Sequence, residues 1–396
     1  MSETIFEAPL DVAMEIAHNV APPKEIVQRP TDACIGQVLA TDVIAQSDLP
    51  PFAASRVDGY AICGQAPWEL VGTNLAGDTT EIELTAGQCI YVATGAQIPL
   101  QTSAVIKQED CNVDAMWVQL KNGNQSITTG ENIRPAGFEA KQNEIVIKTS
   151  TKLTPALLGL AAACGYETLS VYQKPKVDVL IFGDELISYG SAGSGKVRDA
   201  IGPQMSAWLD LLGGELNQIN FVPDNLTDHV KAIAESSADL IITTGGTASG
   251  PADHLHSAIT ECSGVILIDA VKVRPGYHQL LAQLPNKFLI GLPGNPQSAV
   301  IGLLTLVRPF INGSTNQVPQ LLSHRILATK CAAPIDEHRF VLARELRGLS
   351  HVGQIETVEF LDSSMLRGFV DADGYAIIEP GGLPENSVVP WLPLPK

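Results

Sequence analysis

The sequence predicts a multidomain α/β protein: a central, mostly parallel sheet flanked by β-rich regions. Three observations carry this reading. Between residues 171 and 315, short apolar runs alternate with helical stretches, as in a parallel α/β layer. Three of those runs end in glycine-rich turns, which puts the turns at one edge of a common sheet. On either side, at 46–133 and 316–396, short strands are broken by Gly, Asn, Asp and Pro, as in antiparallel β structure.

Composition narrows the function. The 396 residues leave room for roughly two to four domains. With 45% hydrophobic and 17% charged residues, the chain has ample core and is not of the disordered class. A net charge of −18 argues against nucleic acid as a partner. No apolar run of membrane-spanning length and no basic, apolar leader is present, so no membrane partner and a cytoplasmic location are expected. The seven cysteines include no C-x-x-C pair, which favours reduced thiols over disulfides or zinc.

Taken in order, Leu10, Ala13, Ala17 and Val20 fall at helical spacing and predict a helix over 8–20. Residues 33–48 hold two short apolar pieces, a strand or strand pair. Asp58-Gly59 between apolar neighbours reads as a hairpin turn. In 60–133 the expected strands include Ile82–Leu84, Cys89–Ala93, Ala104–Gln108 and Trp117–Leu120. Thr94 ends one of these and presents a hydroxyl, or is an ordinary strand-ending threonine. Arg134 is one of few cations in the first third. Thr154-Pro155 starts a helix closed by Gly165, whose Ala and Leu content predicts deep burial.

The α/β region opens with a strand at Val177–Phe182, then a helix over 201–212 closed by Gly213-Gly214. A strand at Ile219–Val222 follows, and Asp224 caps the helix over 225–236. The central stretch runs from Ala238 to Asp253: the strand Leu240–Ile242, Thr243, Thr244, Gly245, Gly246, Ser249, Gly250, and a helix start near Pro251. Strand, glycine turn and helix start together aim backbone N–H groups at an anion, usually a phosphate. Next come a strand at Val265–Ile268, then Phe288–Ile290 leading into the stiff turn Gly291-Leu-Pro-Gly-Asn-Pro296 and a helix over 298–307. Two features are decoys. Gly190–Lys196 lacks the hydroxyl residue of a P-loop, and His254 and His256, two apart on a helix, do not face one way. The last stretch predicts a small barrel or sandwich with strands at Ser323–Ala328, Arg339–Leu346, Glu356–Glu359 and Tyr375–Ile378.

At this point the residues resemble a family. D-L-P-P-F with D-G-Y-A, A-T-G-A, G-E-N-I-R, L-T-P-A, G-D-E-L, T-T-G-G with P-A-D, R-P-G and G-L-P-G-N-P-Q-S-A occur in the order found in the MoeA proteins, whose animal counterpart is the E domain of gephyrin. The resemblance implies four domains: 1–45 with 134–170, the inserted 46–133, a molybdopterin-binding α/β domain at 171–315, and a barrel at 316–396. It also implies a homodimer, transient contact with other cofactor-biosynthesis proteins, and insertion of molybdate into adenylylated molybdopterin, with magnesium, releasing AMP. Asp58, Glu185 and Asp253 would be catalytic and hold the metal, Asp58 reaching the other two from the dimer neighbour. Thr94, Arg134, Asp199, Thr244, Gly245, Gly246, Ser249, Gly250, Arg274, Pro293, Gly294, Asn295 and Pro296 would bind the pterin substrate.

Departures cluster at the same place. Arg274-Pro-Gly-Tyr277-His278 stands for K-P-G-K-P, and Ile181-Phe182-Gly-Asp-Glu for S-T-G-D-E. Asp199-Ala200-Ile201 replaces D-T-N, and Gly137-Phe138-Glu139 replaces G-E-D. The alternative is therefore a non-catalytic or altered-ligand relative with a degenerate pocket.

Overall fold

The computed structural model describes residues 4–123, 126–247, 254–319, 322–348, 351–359 and 362–395. The chain divides into two compact units. One gathers the residues up to Val27, Gly36–Val38 and everything from Val171 on; the other holds Gln28–Ile35 and Leu39–Ser170.

In the first unit the described residues form a seven-stranded sheet. Its order is Ile5–Ala8, Val265–Val271, Leu280–Gln283, Phe288–Leu292, Leu240–Thr244, Lys176–Phe182 and Glu215–Val222. Only Leu280–Gln283 runs against its neighbours; the other pairings are parallel, as expected. Ile5–Ala8 is an edge strand held by residues far away in sequence: the Thr4 hydroxyl donates to the Ile266 carbonyl at 2.8 Å, 262 positions away.

The two-residue period of a strand sorts the apolar residues into two layers. Val177, Val179, Ile181, Leu240, Ile242 and Ile290 pack under helices Leu10–Asn19, Gly202–Leu212 and the 296–314 stretch. Leu180, Phe182, Ile241 and Leu289 face helices Leu226–Glu235 and Leu255–Glu261. Gly213, at φ +94, closes its helix as the sequence indicated. Asp224 does not cap the next helix; the cap is Asn225, whose side chain accepts the Asp228 N–H at 3.0 Å.

The same unit carries a barrel. Strands His338–Glu345, Gln354–Thr357, Ser323–Leu327, Val388–Pro393 and Gly374–Ile378 pair in turn, and the last pairs back to the first. Closure removes the open edges.

In the second unit a six-stranded sheet runs in the order Ala104–Lys107, Gly59–Ile62, Gln88–Val92, Trp68–Asn74, Trp117–Leu120, Cys111–Asp114, among the described residues. Two expectations need correction here. Residues 82–84 make only an isolated bridge, Glu83 to Leu100. Asp58-Gly59 is not a hairpin turn: Gly59 begins a central strand bonded to both neighbours. Glycine is required there by close approach, since a Cβ would lie 2.0 Å from the Ile106 carbonyl oxygen. Helix Pro155–Ala163 is capped by the Thr154 side chain as read, yet only Ala161 of it is buried. Deep burial was expected from an apolar helix; among the described residues of its unit the cover is not supplied.

Candidate active site

Strands Lys176–Phe182, Leu240–Thr244 and Phe288–Leu292 are adjacent and parallel, so the turns after them meet at one sheet edge. There they enclose a cavity of about 500 Å³. Glu185 and Asp199 line it from the chain after the first strand, Thr244 and Gly245 from the second, and Gly294, Asn295 and Pro296 from the third. Residues from all three turns thus line one cavity.

Gly245 and Gly246 have φ of +84 and +66, the left-handed region open to glycine. A Cβ on Gly245 would stand 3.1 Å from the Phe182 carbonyl oxygen. The Gly245 N–H donates to the Leu292 carbonyl at 2.9 Å, which ties the second turn to the third. That N–H is therefore spent on the fold and not on a ligand. Pro293 is buried behind the turn. Ser249, Gly250 and Asp253 lie outside the described residues.

Asp199 is 6% exposed, and its Oδ1 accepts the N–H groups of Ile201 (2.9 Å) and Gly202 (3.1 Å). It thus serves the start of helix Gly202–Leu212 with one oxygen and leaves the other for the cavity. Glu185 is exposed on the rim. Sequence reasoning missed Arg198, which supplies a cation to the lining. Its guanidinium lies 5.8 Å from the Tyr189 ring centroid and donates to the Gly190 carbonyl at 3.4 Å. The available signal was its place directly before Asp199. Ser364 and Leu366 also line the cavity from far down the chain, and nothing local marked them.

The apolar departures are used in packing. Ile181 is 1% exposed in the layer under helix Gly202–Leu212. Phe182 stacks on His229 with centroids 3.8 Å apart and planes 14° off parallel. His229 is fully buried, and this burial lowers its pKa against the pull of Asp224, whose Oδ1 lies 3.3 Å from Nε2. His256 lies 3.1 Å from Asp269, and the ring of His254 meets His229 edge-on at 5.8 Å.

Arg274 is outside the cavity lining. Its side chain is 69% exposed, and its guanidinium is 4.0 Å from Glu337. The Tyr277 hydroxyl donates to Glu7 Oε1 at 2.6 Å, and that bond to a carboxylate pushes the phenol up to about 12. Lys196 of the P-loop decoy donates to the Asp184 carbonyl.

In the other unit Asp58 and Thr94 come together. Asp58 Oδ1 accepts the Thr94 N–H at 2.7 Å and the Thr94 hydroxyl at 2.8 Å. The backbone bond first, and the hydroxyl second, hold this exposed carboxyl below its usual range. Arg134 is exposed and lies across from Ala54 in an antiparallel pair. Phe138 lies under the Arg56 guanidinium, 5.0 Å from ring to carbon.

Residues 8–165 match the family described as MoeA N-terminal region (domain I and II), and residues 178–313 match the "Probable molybdopterin binding domain". A molybdopterin molybdenumtransferase of Haemophilus influenzae is 30% identical over 362 residues, 87% of each chain. The chain belongs to the MoeA family. Another such relative, from Staphylococcus epidermidis, is 30% identical over 75% of this MoeA chain and 74% of its own. A crystal structure titled as a molybdopterin biosynthesis MoeA protein from Pyrococcus horikoshii shares the fold, with a TM-score of 0.80 at 22% identity over 98% of this chain and 100% of that one. Membership gives this MoeA chain a role in molybdenum cofactor biosynthesis.

Proposed function

We propose that this chain is a molybdotransferase that inserts molybdate into adenylylated molybdopterin and releases AMP. The observation that carries the reading is the single cavity formed by three glycine turns at the carboxyl edge of the sheet, with Arg198, Glu185 and Asp199 in its lining. A cation beside tight backbone turns suits a phosphate-bearing ligand. The conformations of Gly245 and Gly246 let the chain bend sharply, so that the ligand lies close to the backbone. Arg198 neutralises ligand charge, and the free Asp199 oxygen accepts a proton donor or faces a cation.

Magnesium suits this lining in donor type: the free oxygen of Asp199 and the Glu185 carboxylate are hard ligands, and Mg²⁺ commonly takes one or two carboxylates plus substrate phosphates. When bound it would neutralise charge on phosphate oxygens. Among the described residues no group of three or more His, Cys, Asp or Glu could hold a metal. Asp253 is proposed to join this set, and Asp58, Thr94 and Arg134 to reach it from a second copy. The uncovered apolar helix Pro155–Ala163 supports a homodimer. No helix among the described residues is long and apolar enough to cross a membrane.

Mixing the protein with adenylylated molybdopterin, molybdate and magnesium should release AMP, and a chelator should stop it. Asp199→Asn keeps the oxygen that caps the helix but removes the charge. Its unfolding free energy should fall by about 1 kcal/mol, as the buried bonds to Ile201 and Gly202 lose their charge, while AMP release falls at least roughly tenfold. Absence of AMP release, under conditions where a relative is active, would leave the non-catalytic reading.

A further inference from the structure

We infer that segment 362–366 is the ligand-selecting wall of the cavity and that Gln297 positions it; this rests on the cavity being the molybdopterin site. Gln297 follows the third glycine turn, in the first turn of helix Pro296–Gly302, and is 1% exposed. A buried amide must spend its donors. Its Nε2 donates to the carbonyls of Asp362 (2.8 Å) and Met365 (2.7 Å), and its backbone N–H donates to the Ser363 carbonyl at 3.0 Å. Three carbonyls within four residues are thus gathered on one residue beside the cavity.

That attachment carries two side chains into the lining, Ser364 and Leu366. The Ser364 hydroxyl donates to Asp362 Oδ1 at 2.6 Å, and the Ser364 N–H donates to the same oxygen at 3.0 Å. With its proton spent, the hydroxyl offers the cavity lone pairs only. The rest of the lining is largely turn backbone, with Arg198 there to meet negative charge. The 362–366 wall adds an apolar side chain and an acceptor, which suit the body of a planar heterocycle that carries N–H donors. Phosphates would go to the turns and the heterocyclic end to this wall.

The experiment compares Gln297→Leu, Ser364→Ala and Leu366→Ala with wild type. It measures kcat and KM for AMP release from adenylylated molybdopterin, inhibition by inorganic pyrophosphate, and hydrogen exchange of amides 363–366. Each variant should raise KM by about tenfold, the scale of one lost ligand contact, with kcat nearly unchanged and pyrophosphate inhibition intact. Gln297→Leu should also speed exchange at 363–366 in the free protein. An unchanged KM, or pyrophosphate inhibition weakened in parallel, overturns the wall. If wild type releases no AMP, the reaction assignment falls and the wall is judged by exchange alone. Molybdopterin must then slow amides 363–366, and leaving them unslowed overturns it.

Discussion

At the scale of residues, Asp58-Gly59 shows how a local signal can mislead. Asp-Gly looked like a turn because those residues favour turns. What selects glycine at 59 is a neighbouring carbonyl that only the folded sheet supplies. The Thr94 partnership was equally invisible, since it joins residues 36 positions apart. It has a testable electrostatic consequence. Two bonds to the ionised form depress the Asp58 pKa, the backbone bond being the larger cause. Thr94→Val removes the hydroxyl bond and keeps the N–H, so Asp58 should titrate at higher pH than in wild type yet still below an ordinary aspartate, as NMR titration would register. By linkage, a carboxyl with a depressed folded pKa stabilises above its unfolded value, and that stability is lost as pH falls through the folded pKa. The variant should accordingly be less sensitive to acid in that window. A titration identical to wild type would mean that the hydroxyl bond does not form.

At the scale of elements, the glycine turns, the alternating strand–helix pattern and most helix ends were legible, because each is local chemistry: glycine at φ +94 after Leu212, or Thr154 with Pro155 at a helix start. Residues 82–84 were misread because an apolar run cannot reveal whether a pairing partner lies alongside. Ser364 and Leu366 were not legible, since a remote segment brings them in and only Gln297 records the attachment. Strand Gly59–Ile62 yields a sharp prediction. Gly59→Ala places a methyl 2.0 Å from a backbone oxygen in the middle of a sheet, and the strands must separate. The expected cost is about 3 kcal/mol, near the upper end for overpacking, read from the denaturation midpoint. A change below about 1 kcal/mol would show that the strand can shift.

At the scale of the whole molecule, the apolar helix Pro155–Ala163 is the feature that one chain leaves unexplained. Leu157, Leu158 and Leu160 are half-buried and Ala156, Ala162 and Ala163 are exposed, on a helix without a charged residue. A two-fold interface uses the same patch twice, so one substitution acts on both sides. Light scattering at micromolar concentration should find twice the 42.1 kDa chain mass. Leu157→Glu should shift the population toward monomer while each unit stays folded by circular dichroism. A monomeric wild type would end the assignment of this helix to self-association.

The edge strand Ile5–Ala8 also has a consequence for how the protein is made. Its sheet partner, Val265–Val271, is synthesised about 260 residues later. At roughly 5–20 residues per second on the ribosome, the strand waits from about ten seconds to nearly a minute before it can pair. During that interval its apolar residues are exposed, and closing so long a loop is slow. The strand is thus made long before its partner and is among the last segments to find its place. Until then the strand is open to proteases and off-pathway pairing, although in the finished fold it is held by one strand-to-strand seam and by the Tyr277 bond to Glu7.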